Sequence, residues 1–263
     1  MLQPPNILTI AGSDSGGGAG VQADLKTIMA LGGYGMSVFT ALTAQNGLGV
    51  SAVHDPGPDF VVQQLKTVLE GFSVAAAKTG MLFSAANIEC LAGILREQSF
   101  PLVLDPVSVS QSGHRLLRED AIDALKKHML PLATLVTPNR AETALLADME
   151  INSEDDIFAA APRILALGPK ALLIKGGHFA SLVHMTDWLF VPGEEAVPLR
   201  HARIESPNTH GTGCTLSAAI ATFLGLGLPL RVAISKAQEY LNLALRRSYA
   251  PGKGVGPLNH AAK

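Results

Sequence analysis

The chain has few cysteines, little charge and no long apolar run, and each shortage excludes a class of protein. Among its 263 residues only Cys90 and Cys214 are cysteines, too few for a disulfide framework. No CxxC or paired HxxxH pattern occurs, so the sequence gives no sign of a zinc site. The longest uncharged apolar stretch, TLSAAIATFLGLGLPL, is short and interrupted by glycine and proline, so we predict no membrane helix.

The charged residues are also too few and too scattered for several kinds of partner. They make up 16% of the chain, the formal net charge is −2, and no block of lysine or arginine appears. We therefore expect a small-molecule ligand, and no nucleic acid or anionic lipid. No lysine or arginine precedes Lys26, so the basic region of a secretory signal is missing and we expect a cytoplasmic protein.

Short apolar runs alternate with segments of helical periodicity, which is the pattern of a mostly parallel sheet wound with helices. The apolar share of 48% suits a sheet that is covered on both faces. No linker or repeat divides the pattern, so we predict a single α/β domain over residues 1–263. The predicted strands are NILTIAG, MSVFTALTA, VAAAKTG, LVLDPV, ATLVTP, ALLIKGG, WLFVP and PLRHARI.

Three segments between these strands carry helix signals. Ser153 stands three residues before Asp156, as in a capping box, and Gly168 ends the same helix. In two other segments apolar residues share one helical face. These faces consist of Val61, Leu65, Val68 and Leu69 in one segment and Ile88, Leu91, Ala92 and Leu95 in the other.

Polar groups are concentrated just after the predicted strands. In wound α/β folds, ligands bind beyond the carboxyl ends of the strands, where the strand order reverses. The segments at these positions are GSDSGGGAG, QNG, KTGM, DPV, TPNRAE and KGGH. Each alone is a plausible turn, but together they indicate a polar site at one edge of the sheet.

The first glycine-rich segment, SDSGGGAG, does not fit the common nucleotide-binding fingerprints. The loose dinucleotide pattern lacks its acidic partner, because the next acidic residue after Asp24 is Asp55. A Walker A loop would need a lysine after Gly17, where the chain has Gly18. What remains is a flexible strand-to-helix loop that carries Asp14, and a plain glycine turn is an equally good interpretation.

The second segment, HGTGCTLSAAIA, predicts an anion hole. Gly211 and Gly213 allow the backbone to approach an anion, and a helix that begins near Cys214 directs its N–H groups and positive dipole end to the same place. A tight turn is the alternative. The predicted helix has one apolar face, formed by Leu216, Ile220 and Leu224.

These motifs together resemble the ribokinase superfamily, and within it the hydroxymethylpyrimidine/phosphomethylpyrimidine kinases of thiamine biosynthesis. Sugar kinases of the superfamily carry an aspartate at each end of the final loop, where this chain has Asn208 and Cys214. The resemblance implies a ribokinase-like three-layer α/β/α fold with a mostly parallel central sheet flanked by helices. The segments that carry it are AGSDSGGGAGVQADLKT, TALTAQN, KTGML, VLDPV, TPNRAE, KGGH, DWLF, NTHGTGCTLSAA and GPLNH.

The resemblance implies ATP-dependent phosphorylation of 4-amino-5-hydroxymethyl-2-methylpyrimidine and of its monophosphate, with Mg²⁺, in a homodimer. A pyridoxal or pyridoxine kinase of the same branch is the nearest alternative. A cysteine hydrolase that uses Cys214 and His210 is disfavoured, because these residues are four apart and no nucleophile elbow or third member appears. A non-catalytic ligand sensor is disfavoured by the full set of phosphate-binding candidates.

Several residues receive roles on the phosphate side. We expect the backbone N–H groups at the start of the predicted helix to hold the transferring phosphoryl group. The resemblance implies that Asn139, Lys175 and Thr209 contact ATP, and that Asp105 and Glu142 arrange Mg²⁺ through waters. Taken alone, Lys175 would be solvated at a strand end and Glu142 would be ordinary first-turn helix charge. The predicted phosphoryl-binding N–H groups belong to Gly211, Thr212, Gly213 and Cys214.

The acceptor side needs groups that match a flat, amine-bearing ring. Gln45 can donate and accept at once, and the Asp24 carboxylate could bind the amine. By resemblance, Gly12, Met81 and Val107 complete the pocket. Core packing is the alternative for Met81, and a turn amide for Gln45.

The Cys214 thiol is predicted at a helix N-terminus, which lowers a thiol pKa. We hypothesise that Cys214 accepts the proton of the hydroxymethyl group without covalent attachment to the substrate. The other cysteine, Cys90, is expected to be packed. The second phosphorylation needs extra capacity for negative charge, for which His210 or the SDSGGGAG loop is the candidate.

Overall fold

The computed structural model describes residues 3–108, 119–176 and 184–262, which form ten strands and eight α-helices. The strands are β1 Asn6–Ala11, β2 Tyr34–Phe39, β3 Leu42–Asn46, β4 Gly49–His54, β5 Val74–Thr79, β6 Leu102–Leu104, β7 Leu135–Val136, β8 Leu172–Ile174, β9 His184–Phe190 and β10 Val197–Ala202. The helices are α1 Gly20–Ala30, α2 Pro58–Gly71, α3 Ala85–Leu95, α4 Glu119–Ala124, α5 Arg140–Ala147, α6 Glu154–Leu165, α7 Thr212–Gly225 and α8 Leu230–Arg246.

The central sheet has eight strands in the order β10-β9-β8-β7-β6-β5-β1-β2. Pairings from β2 through β8 are parallel, and β9 and β10 pair antiparallel at one end. The strand order reverses at β1, which lies between β2 and β5. The crevice beyond the carboxyl ends of β1 and β5 is therefore the place where such a sheet binds ligands.

Alternate residues of the strands point into two separate hydrophobic cores. Leu8 belongs to the core that includes side chains of α2 to α6, whereas Ile7 belongs to the core that includes side chains of α1, α7 and α8. Along β6, Leu102 and Leu104 join the first core and Val103 joins the second. Because the side-chain period of a strand is two, this division requires helices on both faces of the sheet. The predicted three-layer α/β/α architecture is confirmed.

The helix signals in the sequence are also confirmed. In α6, the Asp156 N–H donates to Ser153 Oγ at 3.3 Å and the Ser153 N–H donates to the Asp156 carboxylate at 2.8 Å. The helix ends at Leu165, three residues before Gly168. Of the eight predicted apolar residues, Val68 and Leu69 are partly buried against the first core. The other six are buried, namely Val61, Leu65, Ile88, Leu91, Ala92 and Leu95.

The segment MSVFTALTA is not one strand, contrary to the prediction. After β2, the Thr40 N–H donates to Ala11 O at 3.0 Å, and Ala41 O accepts from the Ser13 N–H at 2.9 Å. These bonds complete the pairing with the end of β1, and the chain then leaves the main sheet. Residues 42–46 form β3, which pairs antiparallel with β4 in a separate two-stranded sheet that the sequence did not predict.

The single domain over residues 1–263 stays a prediction; in the described ranges, the eight-stranded sheet takes strands from residue 6 to residue 202. None of the helices in these ranges combines the length and the apolar character that crossing a membrane requires.

Candidate active site

A cavity of about 1030 Å³ lies at the carboxyl ends of the parallel strands. Residues that follow β1, β5, β6, β7 and β8 line it, together with the start of α7. Of the residues that the sequence predicts for the site, all but Asp24 lie along this cavity. They are Gly12, Gln45, Met81, Asp105, Val107, Asn139, Glu142, Lys175, Thr209, Gly211, Thr212, Gly213 and Cys214. The KGGH segment is described only as far as Gly176, and Gly177 and His178 lie outside the described residues.

The predicted anion hole is the N-terminus of α7. Gly211 precedes the helix with φ +88°, a left-handed conformation that favours glycine. A Cβ at Gly211 would lie 1.9 Å from Gly18 O, so this loop packs directly on the first glycine-rich loop. Backbone N–H groups of the first turn of a helix have no carbonyl partner within the helix, so they are available to bind an anion. At the start of α7 the Thr212 N–H donates to Thr209 O at a long 3.3 Å.

The first glycine-rich loop is folded around the buried carboxylate of Asp14. The N–H groups of Gly16, Gly18 and Ala19 donate to it at 2.8, 3.0 and 2.8 Å, and His210 Nε2 lies 2.8 Å from Asp14 Oδ2. Burial would raise the pKa of Asp14, but the hydrogen bonds from His210 and the backbone outweigh burial and lower it. The loop is therefore a fixed turn held by one ionised carboxylate.

His210 connects the two loops to the C-terminal segment. Besides its contact with Asp14, its backbone N–H donates to Gly256 O at 3.1 Å. Its Nε2 also lies 3.5 Å from Gln45 Nε2. Sequence reasoning named His210 as a candidate for a second phosphate and as the partner of Cys214 in the disfavoured hydrolase, and it gave Asp14 no partner. The pattern of an aspartate followed by small residues, typical of an Asx turn, is the signal that could have found the Asp14 loop.

Lys175, Asp105 and Glu142 form a charged cluster beside the start of α7, where a Cβ at Gly213 would lie 3.3 Å from Asp105 Oδ2 and 3.5 Å from Lys175 Nζ. Lys175 Nζ lies 3.1 Å from Asp105 Oδ1 and 3.9 Å from Glu142 Oε2. Burial raises the pKa of Glu142 to about 7, with Lys175 opposing the shift and Asp105 adding to it. Burial would lower the pKa of Lys175, but the two carboxylates raise it. Lys175 is thus paired at the cavity wall, which disagrees with the alternative of a solvated strand end.

Glu142 also has the helix-end role that the sequence left open. Its Oε2 accepts from the Asn139 N–H at 2.8 Å, and its own N–H donates to Asn139 Oδ1 at 3.0 Å. The two side chains form a capping box at the start of α5 and line the cavity at the same time. No group of three or more metal-ligating side chains occurs among the described residues.

Gln45 lies in β3 and is not a turn amide. Its Oε1 accepts from Thr43 Oγ1 at 3.2 Å, and its N–H donates to Ser15 Oγ at 2.8 Å. The turn role belongs to Asn46, whose Oδ1 accepts from the Leu48 N–H at 2.9 Å. Gln45 therefore presents its amide to the cavity, where Met81 and Val107 supply apolar surface.

The predicted contact between Asp24 and substrate is wrong. Asp24 is completely buried on α1, and its Oδ2 accepts hydrogen bonds from Thr9 Oγ1 at 2.6 Å and Lys78 Nζ at 2.8 Å. Lys78, which sequence reasoning did not single out, lines the cavity, whereas Asp24 does not. The carboxylate is occupied by an ion pair behind the cavity wall.

The predicted pKa of the Cys214 thiol is also wrong in direction. Burial raises it to about 11, with the Asp24 and Asp105 carboxylates adding to the effect and Lys78 opposing it. The loss of water outweighs the opposing effects of Lys78 and the Gly20 N–H, so the protonated thiol predominates at neutral pH. Cys90 is exposed on α3, contrary to the expectation that it is packed.

A mostly parallel sheet, an N–H-lined helix end and a lysine paired with two carboxylates define a small-molecule kinase of the ribokinase-like class. The chain belongs to the phosphomethylpyrimidine kinase family, whose sequence profile matches residues 14–259.

Individual relatives agree with this assignment. The hydroxymethylpyrimidine/phosphomethylpyrimidine kinase of Streptomyces coelicolor is 45% identical over 259 residues, which cover 98% of this chain and 95% of that protein. An ADP complex of Bacillus subtilis pyridoxal kinase is similar with a TM-score of 0.89 and 38% identity, covering 98% of each chain. Phosphomethylpyrimidine kinase from Clostridium difficile has a TM-score of 0.78 and 39% identity, covering 90% of this chain and 98% of that one.

Proposed function

We propose that this protein uses ATP to phosphorylate the hydroxymethyl group of 4-amino-5-hydroxymethyl-2-methylpyrimidine, and then phosphorylates the monophosphate to the diphosphate, as part of thiamine biosynthesis. The observation that carries this proposal is the shared cavity, in which the N-terminus of α7 and Cys214 meet the Lys175 cluster. Family membership supports the pyrimidine as acceptor. The ADP complex of the pyridoxal kinase supports ATP as the phosphoryl donor.

In the proposed reaction, the acceptor oxygen forms a bond to the γ-phosphorus of ATP. The bond from that phosphorus to the bridging oxygen breaks, and ADP leaves with the electron pair. The N–H groups of residues 211–214 stabilise the negative charge on the transferring group. Lys175, whose Nζ lies beside the start of α7, adds positive charge. The Cys214 thiol first loses its proton to solvent, and the thiolate then accepts the proton of the acceptor hydroxyl. Positioning and electrostatics supply the catalysis.

The residues that would hold Mg²⁺ are Asp105 and Glu142. Both are nearly buried carboxylates that share Lys175 as a neighbour. Mg²⁺ is usually held by one or two carboxylates together with phosphate oxygens and waters, so two carboxylates fit it. When bound, the ion would neutralise charge on the phosphate oxygens. Glu142, with a pKa of about 7, must be ionised to contribute.

For the acceptor, we propose that Gln45 reads the ring nitrogen and amino edge, with Gly12, Met81 and Val107 around the ring. Asn139 and Thr209 are proposed to bind the ATP phosphates. Because Asn139 Oδ1 caps α5, its contact would use the Nδ2 amide. A Gln45→Leu variant is expected to lose acceptor selectivity and to keep its KM for ATP.

The experiment that tests the function is a coupled ADP-release assay with three acceptors, namely the hydroxymethylpyrimidine, its monophosphate and pyridoxal. We expect the highest kcat/KM with the two pyrimidines and Mg²⁺-ATP. Absence of a diphosphate product would remove the second step, and absence of turnover with both pyrimidines would refute the proposal.

A pyridoxal or pyridoxine kinase is the second candidate. The structural similarity to the B. subtilis pyridoxal kinase favours it, since that chain superimposes over 98% of this one. Higher sequence identity to the S. coelicolor pyrimidine kinase favours the first candidate. A kcat/KM for pyridoxal above that for both pyrimidines would reverse the order.

We further propose that the protein is a cytoplasmic homodimer that pairs through the β3–β4 sheet. Leu42 and Val53 on this sheet are 44% and 42% exposed, and Leu48 at its turn is 66% exposed. Val53→Glu is expected to give monomers in light scattering. Leu226→Glu, at an equally exposed apolar residue after α7, is the control and should stay dimeric. A monomeric parent protein would exclude the dimer.

A further inference from the structure

We propose that Asp187 is a positioning residue of the phosphoryl-transfer site, whose buried carboxylate holds the backbone beside Lys175 and so fixes where the lysine ammonium lies. This inference deepens the proposed function and rests on it for the assignment of Lys175 to the ATP phosphates. Asp187 belongs to the DWLF segment, to which the proposed function gives no role.

Asp187 lies in β9, directly beside the end of β8. The register of this antiparallel pair places Lys175 opposite Asp187, where the pairing ends. The next N–H along the chain, that of Gly176, donates to Asp187 Oδ1 at 2.9 Å. There is no room for a Cβ at Gly176, because it would meet Thr186 O of β9. The backbone after Lys175 therefore packs directly on β9 and is bonded to the Asp187 carboxylate.

Two further elements hold the same carboxylate. Gln238 Nε2 on α8 donates to Asp187 Oδ2 at 2.7 Å, and His201 Nε2 on β10 lies 3.4 Å from this oxygen. The Asp187 side chain is only 5% exposed, and it lines the cavity together with His201. Because three elements contact the carboxylate, it is fixed in place, and the Gly176 N–H bonded to it is fixed as well.

Packing does not account for a carboxylate at this position. Residues two apart in a strand point to the same face of a sheet, so Asp187 shares its face with Leu189, which belongs to the core that includes α7 and α8. Burying a carboxylate is costly unless hydrogen bonds compensate it, whereas a leucine of similar size would add apolar contacts to this core. What the carboxylate supplies, and an apolar side chain lacks, is an acceptor for the Gly176 N–H.

The backbone beside Lys175 matters because the lysine ammonium faces the proposed phosphoryl site. Its Nζ would lie 3.5 Å from a Cβ at Gly213, in the first turn of α7. The Lys175 N–H donates to Pro138 O at 2.9 Å, so this backbone is held from one side by the residue after β7 and from the other by Asp187. The two carboxylates that contact Nζ are also the proposed Mg²⁺ ligands, so the place of the ammonium depends on its backbone as well. A displacement of about 1 Å in a positioned catalytic group costs on the order of 10²-fold in rate.

The first test compares Asp187→Leu with Asp187→Asn in the coupled ADP-release assay. Leucine removes the acceptor, whereas asparagine keeps an Oδ1 for the Gly176 N–H and can donate its amide to Gln238 Oε1. We expect Asp187→Leu to lower kcat for the pyrimidine about tenfold or more, with the KM for the pyrimidine changed less than about twofold, because the acceptor pocket is untouched. Asp187→Asn should keep kcat within about threefold of the parent. A loss in Asp187→Asn as large as that in Asp187→Leu would overturn the proposal.

The second test is a double-mutant cycle that shows whether Asp187 acts through Lys175. The Kd of the non-hydrolysable ATP analogue AMP-PCP with Mg²⁺ is measured by calorimetry in the parent, in Asp187→Leu, in Lys175→Met and in the double variant. We expect Asp187→Leu to raise this Kd about fivefold in the parent and less than about twofold in the Lys175→Met background, because residues that act together are not additive. Equal factors in both backgrounds, as a merely structural role would give, or an unchanged Kd in Lys175→Met, would overturn the proposal.

Gln64→Leu is the matched control. Gln64 on α2 also holds the backbone at a strand end, since its Oε1 accepts from the Phe39 N–H at 3.0 Å and its Nε2 donates to Phe39 O at 3.1 Å, and it lies outside the cavity lining. This variant should lose stability in urea and keep kcat within about twofold, because its bonds are lost away from Lys175. If Asp187→Leu does not fold, Gln238→Leu, which removes the donor to Oδ2, takes its place in the cycle with the same expected pattern and the same overturning result.

Turnover separates this inference from the function itself. A parent protein that binds AMP-PCP and phosphorylates neither pyrimidine would refute the proposed function, while the cycle of Kd values would still decide on Asp187. An active parent whose Asp187→Leu variant keeps kcat within about twofold would overturn the positioning role alone.

Discussion

Replacing Gly211 with alanine should disable phosphoryl transfer through geometry alone, since alanine adds no charge and removes no donor. Gly211 has a φ of +88°, a conformation that would cost alanine about 1–2 kcal/mol. The new methyl group would lie 1.9 Å from Gly18 O, and contacts of a Cβ below 3.0 Å essentially do not occur. The start of α7 must therefore move by about 1 Å relative to the first glycine-rich loop.

A displacement of 1 Å in a positioned catalytic group costs on the order of 10²-fold in rate. We therefore expect kcat for the pyrimidine to fall about 100-fold in Gly211→Ala, measured by coupled ADP release. The matched control is Gly227→Ala, because Gly227 has φ +83° with nothing within 4 Å of a new Cβ. This control should lose similar backbone stability and keep kcat. Activity of Gly211→Ala within threefold of the parent would refute the reasoning.

Three further predictions concern buried titratable groups. Burial lowers the pKa of His260 to about 4, so the folded state binds fewer protons than the unfolded state below pH 6.5. The free energy of unfolding in urea should therefore fall by up to roughly 3 kcal/mol as the pH falls from 6.5 towards 4. The variant His260→Asn should show a weaker dependence of this free energy on pH. Glu142→Gln should lower kcat/KM for ATP by about 10 to 100-fold and abolish the ionisation near pH 7 that we expect in the pH profile of kcat/KM for the parent protein. If the variant retains this ionisation, its assignment to Glu142 is wrong. Asp14→Asn should lower the free energy of unfolding by about 1–3 kcal/mol, because three backbone N–H groups lose a charged acceptor, whereas the exposed Asp59→Asn should change it little.

The fold could be predicted where local pattern and global packing agree. The short apolar runs at strands such as β1 and β6 and the apolar share of the chain predicted a sheet covered on both faces, and the two cores confirm it. The strand prediction was wrong after Phe39. The apolar run continues into Leu42, but the hydrogen bonds of Thr40 and Ala41 end the pairing with β1. An apolar run does not record the partner of each strand, so β3 could not be separated from the main sheet, and β4 was not predicted as a strand.

The position of the site could be predicted from the sequence more reliably than the burial and the pKa values of its residues. Polar segments after the strands converge because parallel strands share their carboxyl edge, and that rule requires no knowledge of side-chain depth. The prediction for Asp24 failed because the burial of its carboxylate depends on Lys78, which lies 54 residues away in the chain. The pKa prediction for Cys214 failed for the same reason, because a helix N-terminus can be predicted from the local sequence and the burial of the thiol cannot.

The burial of Asp24 could have been predicted by starting from Lys78. A lysine within an apolar strand that is covered on both faces must have a buried anionic partner, because an unpaired charge there would be neutralised. The candidates are carboxylates whose own positions place them on the inner face of a neighbouring helix. Asp24 meets this condition, since Val21 and Ile28, separated from it by three and four residues, are both buried on α1. The pairing could therefore have been predicted from helical period and strand burial together, and it would have identified Asp24 as the support of a cation at the cavity wall.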